Sequence, residues 1–290
     1  MSDLTLAKPT IWKSVGLVAG KVLIYFVLIV FAFMTIYPLL WLLMNSFKTT
    51  IEFQTNSMGL PSVWTLANYT GAWQIGKFDK LFLNSLFYTI ATTAAIVVLS
   101  MMAAFALSKL RIASTRNKLI YGSFIVGILL SPQAIIIPLF LVMDTVNLTN
   151  THLGVLIPYI GLGLPTGIYL GYEYIRSIPD SLIESARLEG ASYLSIFWRI
   201  ILPMTRPVAI TLSILTVSGI WNEFMLVNIL TRDIDVKSLP VGILKFSGTL
   251  SSDYGKQFAA LVIGALPMLI YYFVFRKQIT QGVSAGAVKG

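Results

Sequence analysis

The chain has 290 residues, of which 56% are hydrophobic and only 11% charged, and its mean hydropathy is +0.80. A soluble domain carries about 25% charged residues, so this composition excludes an ordinary soluble protein and indicates a membrane protein. The absence of cysteine excludes disulfides and thiolate sites, and a single histidine, His152, nearly excludes histidine-based metal or triad chemistry.

Six apolar stretches are long enough to cross the hydrocarbon core of a membrane, which takes about 20 helical residues. They are residues 22–44, 81–107, 119–143, 153–174, 207–230 and 258–275. The first stretch is too long for a signal peptide and lacks a small-residue cleavage site, so we interpret it as a retained helix. We therefore predict an all-α membrane protein with six transmembrane helices.

The distribution of basic residues sets the orientation. Most of the 21 lysines and arginines precede the first stretch, follow the sixth, or lie in the connections after the second and fourth. The positive-inside rule then places both termini in the cytoplasm. The formal net charge of +9 is therefore a topology signal, and we expect no nucleic-acid partner.

The cytoplasmic connection at residues 177–203 carries helix start and stop signals in order. Pro179 suits a first helical position, Gly190 suits the left-handed residue that ends a helix, and Ser192 can cap the next one. An apolar stripe at helical spacing then runs up to a proline, through Tyr193, Ile196, Phe197, Ile200, Ile201 and Pro203. We predict a short helix, a glycine turn and a second short helix. On the residues alone, a connector that lies on the lipid headgroups is the alternative.

This connection resembles the signature loop of binding-protein-dependent ABC importer permeases, which reads Glu-Ala-Ala, three residues, Gly, and later Ile-x-Leu-Pro. Ser185 replaces the first alanine of that pattern, and Glu189 stands where aspartate is usual. The resemblance implies that the first short helix docks on the ATP-hydrolysing subunit. The residues that would make this contact are Glu184, Ser185, Ala186, Glu189, Gly190 and Ala191.

Two further motifs resemble the carbohydrate-uptake branch of that family. One is Trp221-Asn-Glu-Phe224 in the fifth stretch. The other is the C-terminal segment 281–290, which is similar to the tail of the smaller permease subunit of maltose-type importers. In that subunit the tail reaches into the ATPase dimer, so the resemblance implies contacts by Gly282, Ser284 and Gly286.

The resemblance, which covers about residues 84–290, also implies an architecture and a set of partners. We expect an N-terminal cytoplasmic segment, the first transmembrane helix and the first external loop in residues 1–80. The type I ABC importer permease fold, with the cytoplasmic coupling loop 177–203, would follow in residues 81–276, and a cytoplasmic tail in residues 277–290. The expected partners are a second permease, two ATP-binding subunits, an extracytoplasmic sugar-binding protein and a carbohydrate. ATP and Mg²⁺ would be bound by the partner subunits, because this chain has no Gly-x4-Gly-Lys-Ser/Thr loop. Its place would be the cytoplasmic membrane of a bacterium or archaeon.

Candidate residues for the translocation path are few. Glu223 is the one acidic residue well inside a predicted span, where an ionisable group costs about 2.5–3.5 kcal/mol. It is interpreted either as a group that lines the path or as a hydrogen-bond partner between helices. Asn222 beside it, and Gln133 beside Pro132, are the other candidates.

The external segment 231–257 is predicted to be exposed and adaptable, and to meet the sugar-binding protein through Thr249, Ser251 and Asp253. Three alternatives to a sugar importer remain open from sequence. A related ABC permease could carry another small polar solute. A secondary transporter would need more spans or an inverted repeat, and an intramembrane enzyme would need a catalytic dyad that we do not find.

Overall fold

The computed structural model describes residues 11–110, 114–246 and 253–287, with side chains over 20–110, 115–244, 246 and 253–278. In this part of the chain the secondary structure is entirely helical. The first half comprises α1 (Ile11–Asn45), α2 (Thr50–Thr55), α3 (Ala67–Gly76), α4 (Phe78–Lys109), α5 (Ser114–Leu129), α6 (Pro132–Thr145) and α7 (His152–Arg176). The second half comprises α8 (Asp180–Leu188), α9 (Tyr193–Ile196), a π-helical turn (Phe197–Ile201), α10 (Leu202–Met204), α11 (Arg206–Trp221), α12 (Met225–Leu230), α13 (Leu239–Ile243) and α14 (Tyr254–Ala287).

Four helices within the described residues are long and apolar enough to cross a membrane. They coincide with the first, second, fourth and sixth predicted spans and run over Gly20–Asn45, Phe78–Lys109, His152–Arg176 and Tyr254–Gln278. Two bent helix pairs bring the total to six if each pair counts as one span.

The prediction of one continuous helix over residues 119–143 is wrong. The axes of α5 and α6 differ by 106°, with the break at Leu130 and Ser131. Pro132 starts α6, and a proline disfavours the helical conformation in the residue before it. Ser131 accordingly has an extended backbone, with φ −69° and ψ 128°.

The predicted fifth span, residues 207–230, is also interrupted. It ends as α11 at Trp221, and α12 starts only at Met225, so the Trp-Asn-Glu-Phe motif lies at a helix break. At its other end Pro203 does not terminate the helix as predicted, because the chain stays helical to Met204 and bends by 74° into α11. The π-helical turn before Pro203 widens the backbone, which lets the ring be accommodated.

The helices α4 and α7 form the centre of the bundle and approach closely at glycines spaced by four residues. A Cβ atom on Gly167 would lie 2.7 Å from the Cβ atom of Ser100, so this position has no room for a side chain. Gly163 and Gly171 face α4 in the same way, one turn before and one turn after. Small residues at this spacing let membrane helices pack backbone to backbone.

The first span has few contacts with the rest of the chain. None of the residues in its most apolar part is buried within the chain, so their side chains face lipid or a partner subunit. The loop that follows is fixed by the buried Lys48, whose ammonium donates to the carbonyl oxygens of Asn56 (2.7 Å) and Gly59 (2.6 Å). Asn68 in turn donates from Nδ2 to the carbonyl oxygen of Lys48, at 2.7 Å.

Candidate functional site

The predicted helix, glycine turn and second helix between the fourth and fifth spans are confirmed. The first of them, α8, begins at Asp180, with Pro179 as its N-cap rather than its first helical residue. Gly190 has φ +84°, the left-handed conformation that ends a helix, and Ser192 accepts a hydrogen bond from the Ser195 amide at the start of α9. This segment therefore forms a compact unit that is too short to cross a membrane.

The two faces of α8 have different surroundings. Ile183 and Ala186 are buried in an apolar cluster with residues of α4, α7, α9 and the π-helical turn. Glu184, Ser185, Glu189 and Gly190 are exposed on the other side, and Ala191 is half-buried. Of the sequence-predicted contact residues, Ala186 thus faces its own bundle. Sequence reasoning missed Leu188, whose side chain is 90% exposed although it is a large hydrophobic residue.

The start of α8 is attached to the end of α4 by Lys109. This nearly buried lysine donates from Nζ to the carbonyl oxygen of Ile178 at 2.6 Å and to Oδ1 of Asp180 at 2.7 Å. At the other end of α8, the Arg187 guanidinium lies over the Tyr193 ring, 4.5 Å from its centroid. Both ends of the helix are therefore fixed relative to the bundle.

A cavity of about 300 Å³ lies among α4, α7, α11 and α12. Its walls are mostly apolar, with polar groups from Tyr159, Thr166, Thr216 and Glu223. The other lining residues are Ile96, Pro132, Leu162, Gly163, Leu212, Leu215, Gly219, Ile220 and Leu226. The cavity has the size of a small-molecule site and is open on one side to the surface of the chain.

Glu223 both lines this cavity and joins two helices, so it is a hydrogen-bond partner between helices, while its role in the translocation path stays a prediction. Its Oε2 accepts from the Tyr159 hydroxyl at 2.7 Å, and its Oε1 accepts from the Leu226 amide at 2.7 Å, at the start of α12. Asn222 is exposed and donates to the Ser218 carbonyl oxygen at 2.9 Å. Neither Asn222 nor Gln133 lines the cavity, although Pro132 does.

The first part of the external segment is not exposed and adaptable as predicted. Val236, Leu239 and Val241 are buried, and the Tyr88 hydroxyl of α4 donates to the Val236 carbonyl oxygen at 2.7 Å. Apolar side chains at these positions explain the packing. Thr249 and Ser251 lie outside the described residues.

Asp253 immediately precedes α14 and its carboxylate is engaged within the chain. It forms an ion pair with Lys256 and accepts from the Thr50 hydroxyl at 3.3 Å. Partial burial raises the pKa of Asp253, but the hydrogen bonds from Lys256 outweigh it and hold the pKa below its ordinary value. Gly282, Ser284 and Gly286 lie in the last turns of α14, where the structure describes no side chains.

Comparisons with known proteins identify the family to which the chain belongs. Residues 96–281 match the family described as binding-protein-dependent transport system inner membrane component. The chain is 33% identical to a probable ABC transporter permease protein of Bacillus subtilis, YurM, over 93% of this chain and 89% of the relative. It is also 33% identical to the diacetylchitobiose uptake system permease protein NgcG of Streptomyces coelicolor, over 90% and 87% of the two chains.

A multiple sugar-binding transport system permease protein of Streptococcus mutans, MsmG, is 32% identical over 96% of both chains. Among solved structures, a chain of a bacterial ABC transporter for import of the acidic polysaccharide alginate superposes with a TM-score of 0.76. That match covers 93% of this chain and 98% of the other at 24% identity, so it shows the fold alone. The resemblance to binding-protein-dependent ABC importer permeases is confirmed, and so is the prediction of a transport component rather than an enzyme. The chain belongs to the family of binding-protein-dependent transport system inner membrane components.

Proposed function

We propose that this chain is a permease subunit of an ATP-driven importer of sugars or oligosaccharides. It works in the cytoplasmic membrane of a bacterium or archaeon with a second permease, two ATP-binding subunits that hold ATP and Mg²⁺, and an extracytoplasmic sugar-binding protein. Both termini face the cytoplasm. The names of the relatives support the cargo class, because diacetylchitobiose and multiple sugars are saccharides.

The observation that carries this proposal is the two-sided helix α8. Its outer face presents Leu188, Glu184 and Ser185 without cover from this chain. Its inner face and both of its ends are fixed to the bundle. An exposed leucine on such a helix suits a docking surface for the ATPase. A displacement of α8 on ATP binding would then be passed directly to the spans.

The cavity around Glu223 is the proposed translocation path, shared with the second permease. Its carboxylate and the Tyr159 hydroxyl can exchange their mutual hydrogen bond for one to a sugar hydroxyl. The apolar walls would carry the sugar faces without holding them tightly. Transport needs inward and outward states that differ by a few kcal/mol, which ATP and the loaded binding protein bias.

Two further contacts belong to this proposal. Thr249, Ser251 and Asp253 would meet the binding protein at the end of the external segment. The tail at Gly282, Ser284 and Gly286 would form a second contact with the ATPase subunits, because small residues fit a narrow crevice.

The proposal is tested with Leu188→Glu in a complex purified with its ATPase, partner permease and binding protein. We expect the ATPase to be lost on purification, or its stimulation by sugar-loaded binding protein to disappear. Leu60→Glu is the matched control, because Leu60 is a 68%-exposed leucine in the first external loop. Wild-type stimulation in Leu188→Glu would contradict the docking role, and a binding protein that responds to no saccharide would contradict the cargo class.

A further inference from the structure

A second cavity, of about 440 Å³, lies between the junction of α3 and α4, the helix α12 and the segment 232–244, and is hereafter the basic cavity. Its lining comprises Lys77, Asn228, Arg232, Ile234, Lys237, Val241, Gly242 and Leu244. Three of these side chains are cationic and none is a carboxylate. Asn228 of α12 lines the basic cavity, and Leu226, two residues earlier, lines the cavity around Glu223. Residues two apart point to opposite sides of a helix, so the two cavities lie on opposite faces of α12.

Two carboxylates that neighbour the lining residues in sequence, Asp233 and Asp235, have partners outside the lining. Asp235 forms an ion pair with Lys80 at 2.5 Å, and Asp233 accepts from Nδ2 of Asn150 at 2.6 Å. The hydrogen bond from Lys80 holds the pKa of Asp235 below its ordinary value, with a smaller contribution from the charge of Lys77. Among the described residues, none of the three cations that line the basic cavity forms an ion pair.

The backbone that carries these cations is held in place by side chains of other helices. Asn150 accepts at Oδ1 from the amides of Arg232 (2.8 Å) and Asp233 (2.9 Å). Asn84 of α4 donates from Nδ2 to the carbonyl oxygen of Lys237 at 2.9 Å. The basic cavity is therefore built on a fixed frame rather than on a loose loop.

The backbone of Lys77 is a second, independent feature of the basic cavity. It links α3 to α4 with φ +52°, a left-handed conformation that glycine or asparagine adopts with less strain. Strained backbone of this kind concentrates at functional sites. Here the strained residue is a lysine that lines a cavity together with two further cations.

We propose that the basic cavity binds the acidic group of a saccharide, such as a uronate carboxylate or a sugar phosphate, on the predicted external side of the membrane. This inference rests on the proposed function, because it narrows the cargo of that importer. Unpaired lysine and arginine donate strong, charge-assisted hydrogen bonds to such groups. The Asn228 amide can bond a sugar hydroxyl, and the volume suits one sugar unit.

The test uses the assembled importer in lipid nanodiscs and three probes, galacturonate, glucose 6-phosphate and galactose. Calorimetry should show saturable binding of the two acidic probes, weakened by added salt, and none of galactose. Lys77→Gln, Arg232→Gln and Lys237→Gln should each weaken the binding of galacturonate about tenfold. The double variant Arg116→Gln/Lys118→Gln removes two exposed cations beyond the far end of α4 and should leave the affinity for galacturonate unchanged.

Three outcomes would overturn the inference. One is equal binding of galactose and galacturonate, and another is an equal loss in the Arg116/Lys118 control. The third combines two observations: galacturonate does not bind, and the binding protein docks more weakly on the cavity variants than on the wild type, in a salt-dependent way. That result would make an acidic segment of the binding protein the occupant of the basic cavity. The proposed function fails separately: in that case loaded binding protein does not stimulate the ATPase even in the wild-type complex.

Discussion

Replacing Glu223 with leucine removes a carboxylate that holds two helices at once. In the structure this carboxylate accepts from the Tyr159 hydroxyl at 2.7 Å and from the Leu226 and Val227 amides at 2.7 and 3.4 Å. Leucine supplies none of these acceptors. The start of α12 would lose its side-chain cap, and the Tyr159 hydroxyl would lose its acceptor beside an apolar cavity.

The expected cost follows from these two losses. A lost helix cap costs about 0.5–2 kcal/mol, and a buried donor left without a partner costs about 1–3 kcal/mol. We therefore expect Glu223→Leu to lower the free energy of unfolding by about 2–4 kcal/mol. Glu223→Gln keeps one carbonyl acceptor for the Leu226 amide and can donate to the Tyr159 oxygen, so it should cost about 1 kcal/mol or less.

The measurement is SDS-induced unfolding of the purified chain in mixed micelles, for Glu223→Leu, Glu223→Gln, Tyr159→Phe and the Leu/Phe double variant. The cycle should give a coupling energy of about 1–2 kcal/mol between the two side chains. A Glu223→Leu protein within about 0.5 kcal/mol of the wild type would refute the capping argument. Loss of sugar transport in the stable glutamine variant would assign the carboxylate to the path as well.

Three further substitutions test the packing. Gly167→Leu should prevent the close approach of α4 and α7 and lower the free energy of unfolding by more than about 3 kcal/mol. Gly161→Leu is the control and should be near neutral, because a Cβ atom there meets nothing within 4 Å. Equal effects of the two substitutions would contradict the close packing of α4 and α7. Lys48→Met leaves two carbonyl oxygens without their donor and should speed proteolysis of the first external loop, and an unchanged cleavage rate would show that the lysine is dispensable. Ala186→Phe should destabilise the chain itself by about 1–3 kcal/mol, while Ser185→Phe on the exposed face should alter only ATPase retention; matching thermal melting of the two variants would argue against the assigned faces.

The sequence predicted the elements that depend on long apolar runs and on helix caps. It failed at helix breaks, because hydropathy averages over a window and does not register a local bend. Pro132 carried a usable signal, since the residue before a proline avoids the helical conformation. At the second break the Glu223 carboxylate accepts from the Leu226 amide, but glutamate is not among the residues that typically begin a helix, so the sequence carries no such signal there.

The basic cavity could not be predicted in the same way. Lys77 and Lys237 are far apart in the chain, and no local spacing relates them. Only the packing of the 234–241 segment on α4 brings them together. Likewise, the sequence of α8 does not say whether Ala186 faces the bundle or a partner subunit until the bundle is known.

The buried cluster beneath α8 has a consequence for biogenesis. Ile183 packs with residues that the ribosome delivers at very different times, from Met101 in α4 to Leu212 in α11. The surface proposed to dock the ATPase would therefore be absent from a half-synthesised permease and would form only after the later spans have inserted. Capture by the ATPase would then select finished chains, and a permease stalled before α11 would be left to the membrane proteases.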